Sequence, residues 1–136
     1  MIYRSDCGVY KIEKHWNVIR FYKNDELHAD GDNPAIEWTD GSKFWFKNGK
    51  RHRDGDLPAY EGADGTKEWW KDGKCHRDGD LPAIEYADGT VQYWKNGIRY
   101  DPNKVTLKKG DKIEIIYQGE TKTFEKGQTI NLIFSI

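Results

Sequence analysis

The chain has 136 residues, the length of one domain of ordinary size, and a formal net charge of −1 from 22 Lys and Arg against 23 Asp and Glu. The chain therefore lacks the excess of basic charge that is typical of nucleic-acid binders, and nucleic acid is not a favoured partner. Fourteen glycines together with 6 Trp, 8 Tyr and 5 Phe favour strands joined by tight turns over helices.

Residues 1–10 are predicted to form a lead-in strand. Arg4 and Asp6 lie within this stretch, which therefore lacks the apolar core of a signal peptide. Elsewhere the longest apolar runs, such as the one around Ile113, fall far short of the roughly 20 residues that a membrane-spanning helix needs. We therefore expect a cytoplasmic protein with no membrane span.

A 24-residue repeat organises residues 11–101. Residues 45–68 and 69–92 are identical at 17 of 24 positions. A more diverged copy begins at Phe21, and a partial copy begins at Tyr93. Repetition of this kind predicts similar units that stack side by side and bury a continuous core.

Each unit is predicted to be a β-hairpin, because Asp-Gly and Asn-Gly pairs favour tight turns. In the third unit a two-residue turn at Asp88-Gly89 would pair Ile84 with Tyr93 and Ala83 with Trp94. Alternation along the strands then predicts two faces. The first face is an apolar ladder of Ile12, Phe21, Ile36, Trp45, Tyr60, Trp69, Ile84 and Tyr93. The second face carries Ala35, Phe46, Ala59, Trp70, Ala83 and Trp94, with Glu37, Glu61 and Glu85.

The unit contains the string Trp70-Lys71-Asp72-Gly73-Lys74, then His76, then Tyr86-Ala87-Asp88-Gly89-Thr90. In this it resembles the MORN repeat family, in a diverged variant found in phage, large-virus and bacterial proteins. Where the family has Gly after His, this chain has Ala29, Arg53 or Arg77. The resemblance implies a twisted antiparallel sheet of consecutive hairpins that contacts proteins or membrane surfaces, in the host cytoplasm if the protein is phage or viral.

Residues 103–136 break the period and are predicted to form a C-terminal β-meander of three or four short strands. Glycines at 110, 119 and 127 mark the turns between them. We expect this segment either to cap the repeat sheet or to mediate assembly. Its apolar ending, residues 132–136, carries no charge, so we expect it to be buried within the chain or in a homodimer formed through this strand.

The string His-Arg-Asp occurs twice, as His52-Arg53-Asp54 and His76-Arg77-Asp78. In an enzyme, His could act as a general base, Asp could orient it and Arg could bind an anion. A catalytic centre needs one asymmetric arrangement, whereas these strings recur at the repeat period, as hydrogen bonds within a turn would explain. The histidines of successive units would lie about 10 Å apart, too far for a shared metal ion. We therefore predict no enzyme activity, no metal and no cofactor.

The adjacent aromatic pairs place one ring of each pair on the second face, where rings and Arg are typical of protein interfaces. The candidate binding residues are Phe46, Trp70, Trp94, His52, Arg53, His76 and Arg77. The favoured function is non-catalytic binding of another protein, and the resemblance suggests a phage or viral factor that modulates a host protein. The alternatives are a small-ligand or nucleotide-binding protein that uses Arg53 and Arg77, and a membrane-surface scaffold. If the C-terminal meander covers the second face, these rings are core.

Overall fold

The structure is a computed structural model of the chain. It describes residues 1–5, 8–103, 106–108, 112–117 and 120–125. All regular elements in these ranges are β-strands, which confirms the all-β prediction. The described residues contain no helix with the length and apolar character to cross a membrane. The chain divides into two compact units, Met1–Arg99 and Tyr100–Ile136.

Fifteen strands are described between Ile2 and Tyr100. They are β1 (Ile2–Ser5), β2 (Gly8–His15), β3 (Val18–Lys23), β4 (Glu26–Leu27), β5 (Ile36–Trp38), β6 (Lys43–Phe44), β7 (Phe46–Lys47), β8 (Lys50–Arg51), β9 (Tyr60–Glu61), β10 (Lys67–Glu68), β11 (Trp70–Lys71), β12 (Lys74–Cys75), β13 (Ile84–Glu85), β14 (Val91–Lys95) and β15 (Ile98–Tyr100). Eleven of them form the main sheet, in the order β1-β2-β3-β5-β6-β9-β10-β13-β14-β15 with β4 paired to β3. β7–β8 and β11–β12 form two separate hairpins.

The chain leaves the main sheet at a tryptophan. Trp69 lies between β10 and β11, and its backbone N–H donates to the carbonyl of Ala83 across the main sheet at 2.8 Å. Its own carbonyl accepts the N–H of His76 at 3.0 Å, which extends the ladder of the separate hairpin. Trp45 makes the corresponding bonds with Ala59 and His52. Each Trp therefore joins two hydrogen-bonded ladders.

The structure contains two kinds of Gly-containing turn. At Asn48-Gly49, Asp72-Gly73 and Asn96-Gly97 both residues have positive φ, for example 49° and 80° at Asp72-Gly73, as a two-residue type I′ turn requires. At Asp88-Gly89 only the glycine has positive φ, 84°. There the Asp88 carboxylate accepts the N–H of Thr90 at 2.8 Å, and the backbone of Tyr86 pairs with Thr90 at 2.9 Å. Residues 87–89 therefore form a three-residue loop.

The predicted strand register is wrong by one residue as a result. Ile84 faces Gln92 instead of Tyr93, and Glu85 faces Val91. The pairing of Ala83 with Trp94 is wrong too, because the N–H of Ala83 donates to the carbonyl of Gln92 at 2.9 Å. The physical reason is the carboxylate of Asp88, which binds the loop backbone and stabilises a turn one residue longer than predicted.

The two predicted faces do not stay separate. Ala83, assigned to the second face, is fully buried in one cluster with Trp69 and Ile84, both assigned to the first. Cys75 completes this cluster, and Trp70 and Trp94 pack against it. A regular strand would turn Trp69 and Trp70 to opposite sides. The change of ladder at Trp69 lets both rings pack against the same core.

The second compact unit contains a three-stranded antiparallel sheet of β16 (Thr106–Lys108), β17 (Lys112–Tyr117) and β18 (Glu120–Glu125). These strands occupy three of the segments predicted for the meander, and Ile115 in the central strand is buried. The predicted fourth strand and the apolar ending 132–136 lie outside the described residues. The capping and assembly roles of this unit stay predictions.

The Trp69→Ala variant tests the core. Trp69 is 6% exposed, and loss of a buried indole costs about 3–5 kcal/mol in the free energy of unfolding. The matched control is Trp16→Ala, because Trp16 is 90% exposed and its loss should change that free energy by no more than about 0.5 kcal/mol. Urea denaturation measures both. Equal effects of the two variants would contradict the assignment of Trp69 to the core.

Candidate binding surface

Three histidines hold the turn of the following unit. In each ring Nδ1 accepts a backbone N–H from a residue 20 positions later, and Nε2 lies 3.0 Å from the carboxylate of the aspartate two positions later. In His28 and His76, acceptance at Nδ1 leaves Nε2 to donate to the carboxylate, whereas Nδ1 of His52 also lies 3.0 Å from the carboxylate of Asp72. The sets are His28 with Asn48 and Asp30, His52 with Asp72 and Asp54, and His76 with Asn96 and Asp78. Both nitrogens of each ring are therefore engaged within the fold.

Arg77 joins its unit to the preceding one. Its Nε and Nη2 donate to the two carboxylate oxygens of Asp56 at 2.8 and 2.9 Å, and its Nη1 reaches the carbonyl of Pro82 and the carboxylate of Glu85. The guanidinium carbon lies 3.8 Å from the ring centroid of Trp69. This pairing lowers the pKa of Asp56.

Arg53 repeats the arrangement one unit earlier. It pairs with both carboxylate oxygens of Asp32 at 2.6 and 2.8 Å, with Pro58 and Glu61, and lies over Trp45 at 3.8 Å. The side chains of Arg53 and Arg77 are only 11% and 12% exposed. Their donors already bind carboxylates of this chain, which leaves little capacity for the anionic ligand considered in the sequence analysis.

The candidate aromatic residues are half-buried. Phe46 begins β7, and Trp70 begins β11 at the equivalent position one unit later. The indole N–H of Trp70 donates to Glu68 at 2.8 Å, and the Arg51 guanidinium lies 4.6 Å from its ring centroid. Trp94 lies in β14 and donates to Gln92 at 3.0 Å.

Three open grooves follow one another along the repeated part of the chain. Groove 1, of about 350 Å³, is lined by Tyr10, Phe21, Tyr22, His28, Asp30 and Pro34, among others. Groove 2, of about 430 Å³, contains His28, Trp45, Phe46, His52, Arg53 and Leu57. Groove 3, of about 460 Å³, contains His52, Arg53, Trp69, Trp70, His76 and Arg77, with Leu57 and Leu81. Six of the seven candidate binding residues therefore line grooves 2 and 3, and Trp94 lies outside all three.

Leu57 and Leu81 were not among the predicted binding residues. They are 44% and 46% exposed at equivalent positions of successive units, and they line the grooves. A signal for them exists in the sequence, because Asp-Leu-Pro-Ala is identical in both units although leucine is usually an interior residue. The aspartates at the groove rims are more exposed still: the side chains of Asp30, Asp54 and Asp78 are 57%, 76% and 79% exposed.

Within the part of the chain that the structure describes, no group of three or more His, Cys, Asp or Glu residues is arranged to hold a metal ion. Burial raises the pKa of the Cys75 thiol to about 12, so this cysteine is a protonated core residue at neutral pH.

Comparison with known proteins gives no match to a family model, to a curated protein or to a solved structure.

The Arg77→Gln variant tests the contact between units. Loss of hydrogen bonds to a charged partner should lower the free energy of unfolding by about 1.5–3 kcal/mol. Arg99→Gln is the matched control, because Arg99 is exposed and should tolerate the change within about 0.5 kcal/mol. Arg77→Gln combined with Asp56→Asn should cost less than the sum of the single changes. Additive costs in urea denaturation would contradict the pairing.

Acid should weaken the fold through the rim carboxylates. The Lys47 ammonium and the His52 ring N–H hold the pKa of Asp54 at about 2, against an ordinary value of 3.8. Because the folded-state pKa is the lower one, the stabilisation is present above about pH 4 and is lost as the pH falls towards 2. The stability difference between the native chain and Asp54→Asn should therefore shrink from pH 5 to pH 2.

Chemical denaturation at several pH values measures this difference. Asp80→Asn is the control, since Asp80 forms no ion pair among the described residues. A stability difference between the native chain and Asp54→Asn that stays constant from pH 5 to pH 2 would show that the carboxylate of Asp54 does not stabilise the fold.

Proposed function

We propose that this chain is a non-catalytic module that binds another protein through the face that carries grooves 1–3. One observation carries the proposal: exposed leucines and half-buried rings lie together in a row of open grooves, beside exposed carboxylates. Apolar and aromatic groups surrounded by a polar rim are characteristic of protein interfaces.

The internal hydrogen bonds support binding over catalysis. A general base needs a ring nitrogen that can reach a substrate, whereas His52 and His76 use both nitrogens on this chain. The same bonds favour a rigid surface, because side chains already fixed in the free protein lose little entropy on binding. A rigid face suits a partner of matching shape.

The other sequence-based functions have less support. A nucleotide would have to displace Asp32 and Asp56 from Arg53 and Arg77. A membrane surface rich in anionic lipids would meet the carboxylates of the groove rims, which it repels. We therefore place protein binding first.

Membership of a MORN-like repeat family and a role in a phage or virus are also proposals. The 24-residue period and its hairpins support a MORN-like repeat, and a role as a phage or viral factor that modulates a host protein rests on that resemblance alone. A homodimer through the C-terminal strand is a separate proposal, and residues 132–136 lie outside the described residues.

A double variant, Leu57→Asp with Leu81→Asp, tests the proposal. Both changes place charge in the grooves at exposed positions, so the fold should survive and binding should not. The control is Ile98→Asp, because Ile98 is 70% exposed and lies outside the three grooves. Affinity purification from native host cells, followed by quantification of the captured protein, compares the three chains.

We expect one stoichiometric partner with the native chain and with Ile98→Asp, and at least about a tenfold loss with the double variant, since a central interface residue contributes more than 1.4 kcal/mol. Melting temperatures verify that all three chains are folded. Equal capture by the double variant would overturn the assignment to this face. A melting temperature raised by nucleotides, with no protein captured, would overturn protein binding itself.

A further inference from the structure

The grooves repeat at a regular spacing, which constrains the shape of a partner that enters all of them. Loop 28–33 borders grooves 1 and 2, and loop 52–57 borders grooves 2 and 3. Equivalent loops are 24 residues apart, and each such step adds two strands to the main sheet, as β9–β10 and β13–β14 do. Neighbouring strands of a sheet lie about 4.8 Å apart, so two strands per step give an expected groove spacing of about 9.6 Å.

This spacing discriminates between the regular conformations of a peptide. A polyproline II helix has three residues per turn and rises about 3.1 Å per residue, so it repeats at about 9.3 Å. The helix repeat is therefore about 0.3 Å shorter than the groove spacing, and the accumulated difference stays below about 1 Å over all three grooves. A β-strand presents the same face about every 6.7 Å, about 3 Å less than the groove spacing. Two turns of an α-helix, seven residues, span about 10.5 Å, so an α-helix would be displaced by about 1 Å more at each successive groove.

The lining of the grooves suits proline. Groove 2 combines the half-buried ring of Phe46 with the exposed Leu57, and groove 3 combines the half-buried ring of Trp70 with the exposed Leu81. Grooves lined by aromatic side chains are the usual binding sites of polyproline II segments, whose extended backbone is already ordered before binding. In such a helix every third residue points the same way and can enter successive grooves.

The charge of the surface suits a basic partner. Residues 21–92 contain 10 Lys and Arg against 16 Asp and Glu. Asp30, Asp54 and Asp78 border the grooves with exposed side chains, one for each 24-residue step. Each of them also contacts a lysine of this chain, so a cation of the partner would share the carboxylate. Exposed carboxylates of this kind attract basic groups and give specificity more than affinity.

We propose that grooves 1–3 bind successive three-residue turns of a basic, proline-rich segment in the polyproline II conformation. This inference rests on the proposed protein-binding function and specifies the chemistry of the partner. One turn of the segment occupies each groove, with an apolar residue inside the groove and a basic residue at the acidic rim.

Fluorescence anisotropy with synthetic peptides of 12 residues tests the inference. The probe is fluorescein-labelled (Pro-Pro-Arg)4, which keeps the three-residue period. One control, (Pro-Pro-Gly-Arg)3, has a four-residue period, and a second control, (Ser-Ser-Arg)4, keeps the charge and the period without proline. A shorter probe, (Pro-Pro-Arg)2, reaches fewer grooves.

We expect (Pro-Pro-Arg)4 to bind at least about tenfold more tightly than either control or the shorter probe, because each groove filled adds to the affinity at no new cost of association. Leu57→Asp with Leu81→Asp should abolish this preference, and Ile98→Asp should keep it. If the serine peptide binds as tightly as the probe, charge alone explains the binding. If the peptide with a four-residue period binds as tightly, the match between a three-residue turn and the groove spacing is wrong. Either result overturns the inference.

Two further results separate this inference from the proposed function. If the probe does not bind but the double variant loses a stoichiometric protein partner, the polyproline inference fails and protein binding stands. If neither the peptide nor a protein binds, both fail. Binding of chitin or cellulose oligosaccharides in place of the peptide, measured by calorimetry, would overturn both in favour of a polysaccharide ligand.

Discussion

The repeated part of the fold depends on two ion pairs, in which Arg53 and Arg77 each bind the aspartate 21 residues earlier. β9 to β13 are two residues long, against a usual length of about five or six, so the backbone of the sheet supplies few hydrogen bonds per strand. Arg77 compensates by binding the carboxylate of Asp56, a backbone carbonyl and the face of Trp69 at once. Side-chain contacts therefore stabilise the association of adjacent repeats, for which the short strands supply few backbone hydrogen bonds.

This structural use explains why His-Arg-Asp resembles a catalytic string. The residue types that suit a general base and an anion site also suit a contact that must satisfy buried polar groups. Here His76 binds the next turn, Arg77 binds the previous unit, and the carboxylate of Asp78 accepts a hydrogen bond from Nε2 of His76. Repetition favours the structural use, since equivalent units make equivalent contacts whereas a catalyst needs one centre.

The sequence was sufficient to predict the all-β fold and tight turns at the Asp-Gly and Asn-Gly pairs. It did not distinguish the two uses of Asp-Gly, because both need glycine at positive φ. The residue after glycine carries the difference: Ser42, Thr66 and Thr90 follow the longer loops, and Lys50 and Lys74 follow two of the type I′ turns. Hydroxyl groups of Thr66 and Thr90 bind the loop aspartate, which a lysine does not do.

The candidate surface was predictable only in part. Phe46, Trp70, His52 and Arg53 do line grooves, but local alternation could not show that Arg53 and His52 are engaged inside the fold. Arg53 binds Asp32, 21 residues before it, and His52 binds the backbone of Asp72, 20 residues after it. The exposure of Leu57 is equally non-local, because it depends on where its loop lies on the neighbouring unit.

The constant separation of these contacts has a consequence for how the chain acquires its structure. Each His and Arg contact closes a loop of 20 or 21 residues, whichever unit it joins, so the entropic cost of adding a unit does not grow along the chain. Within the described range 8–103, residues 45–68 are the one repeat with an arginine contact on both sides, since Ala29 and Asp101 occupy the positions where the outer arginines would fall. Arginine contacts therefore hold this middle repeat on both sides, whereas the N-terminal end of the array is held by the backbone, since β2 and β3 pair at six positions.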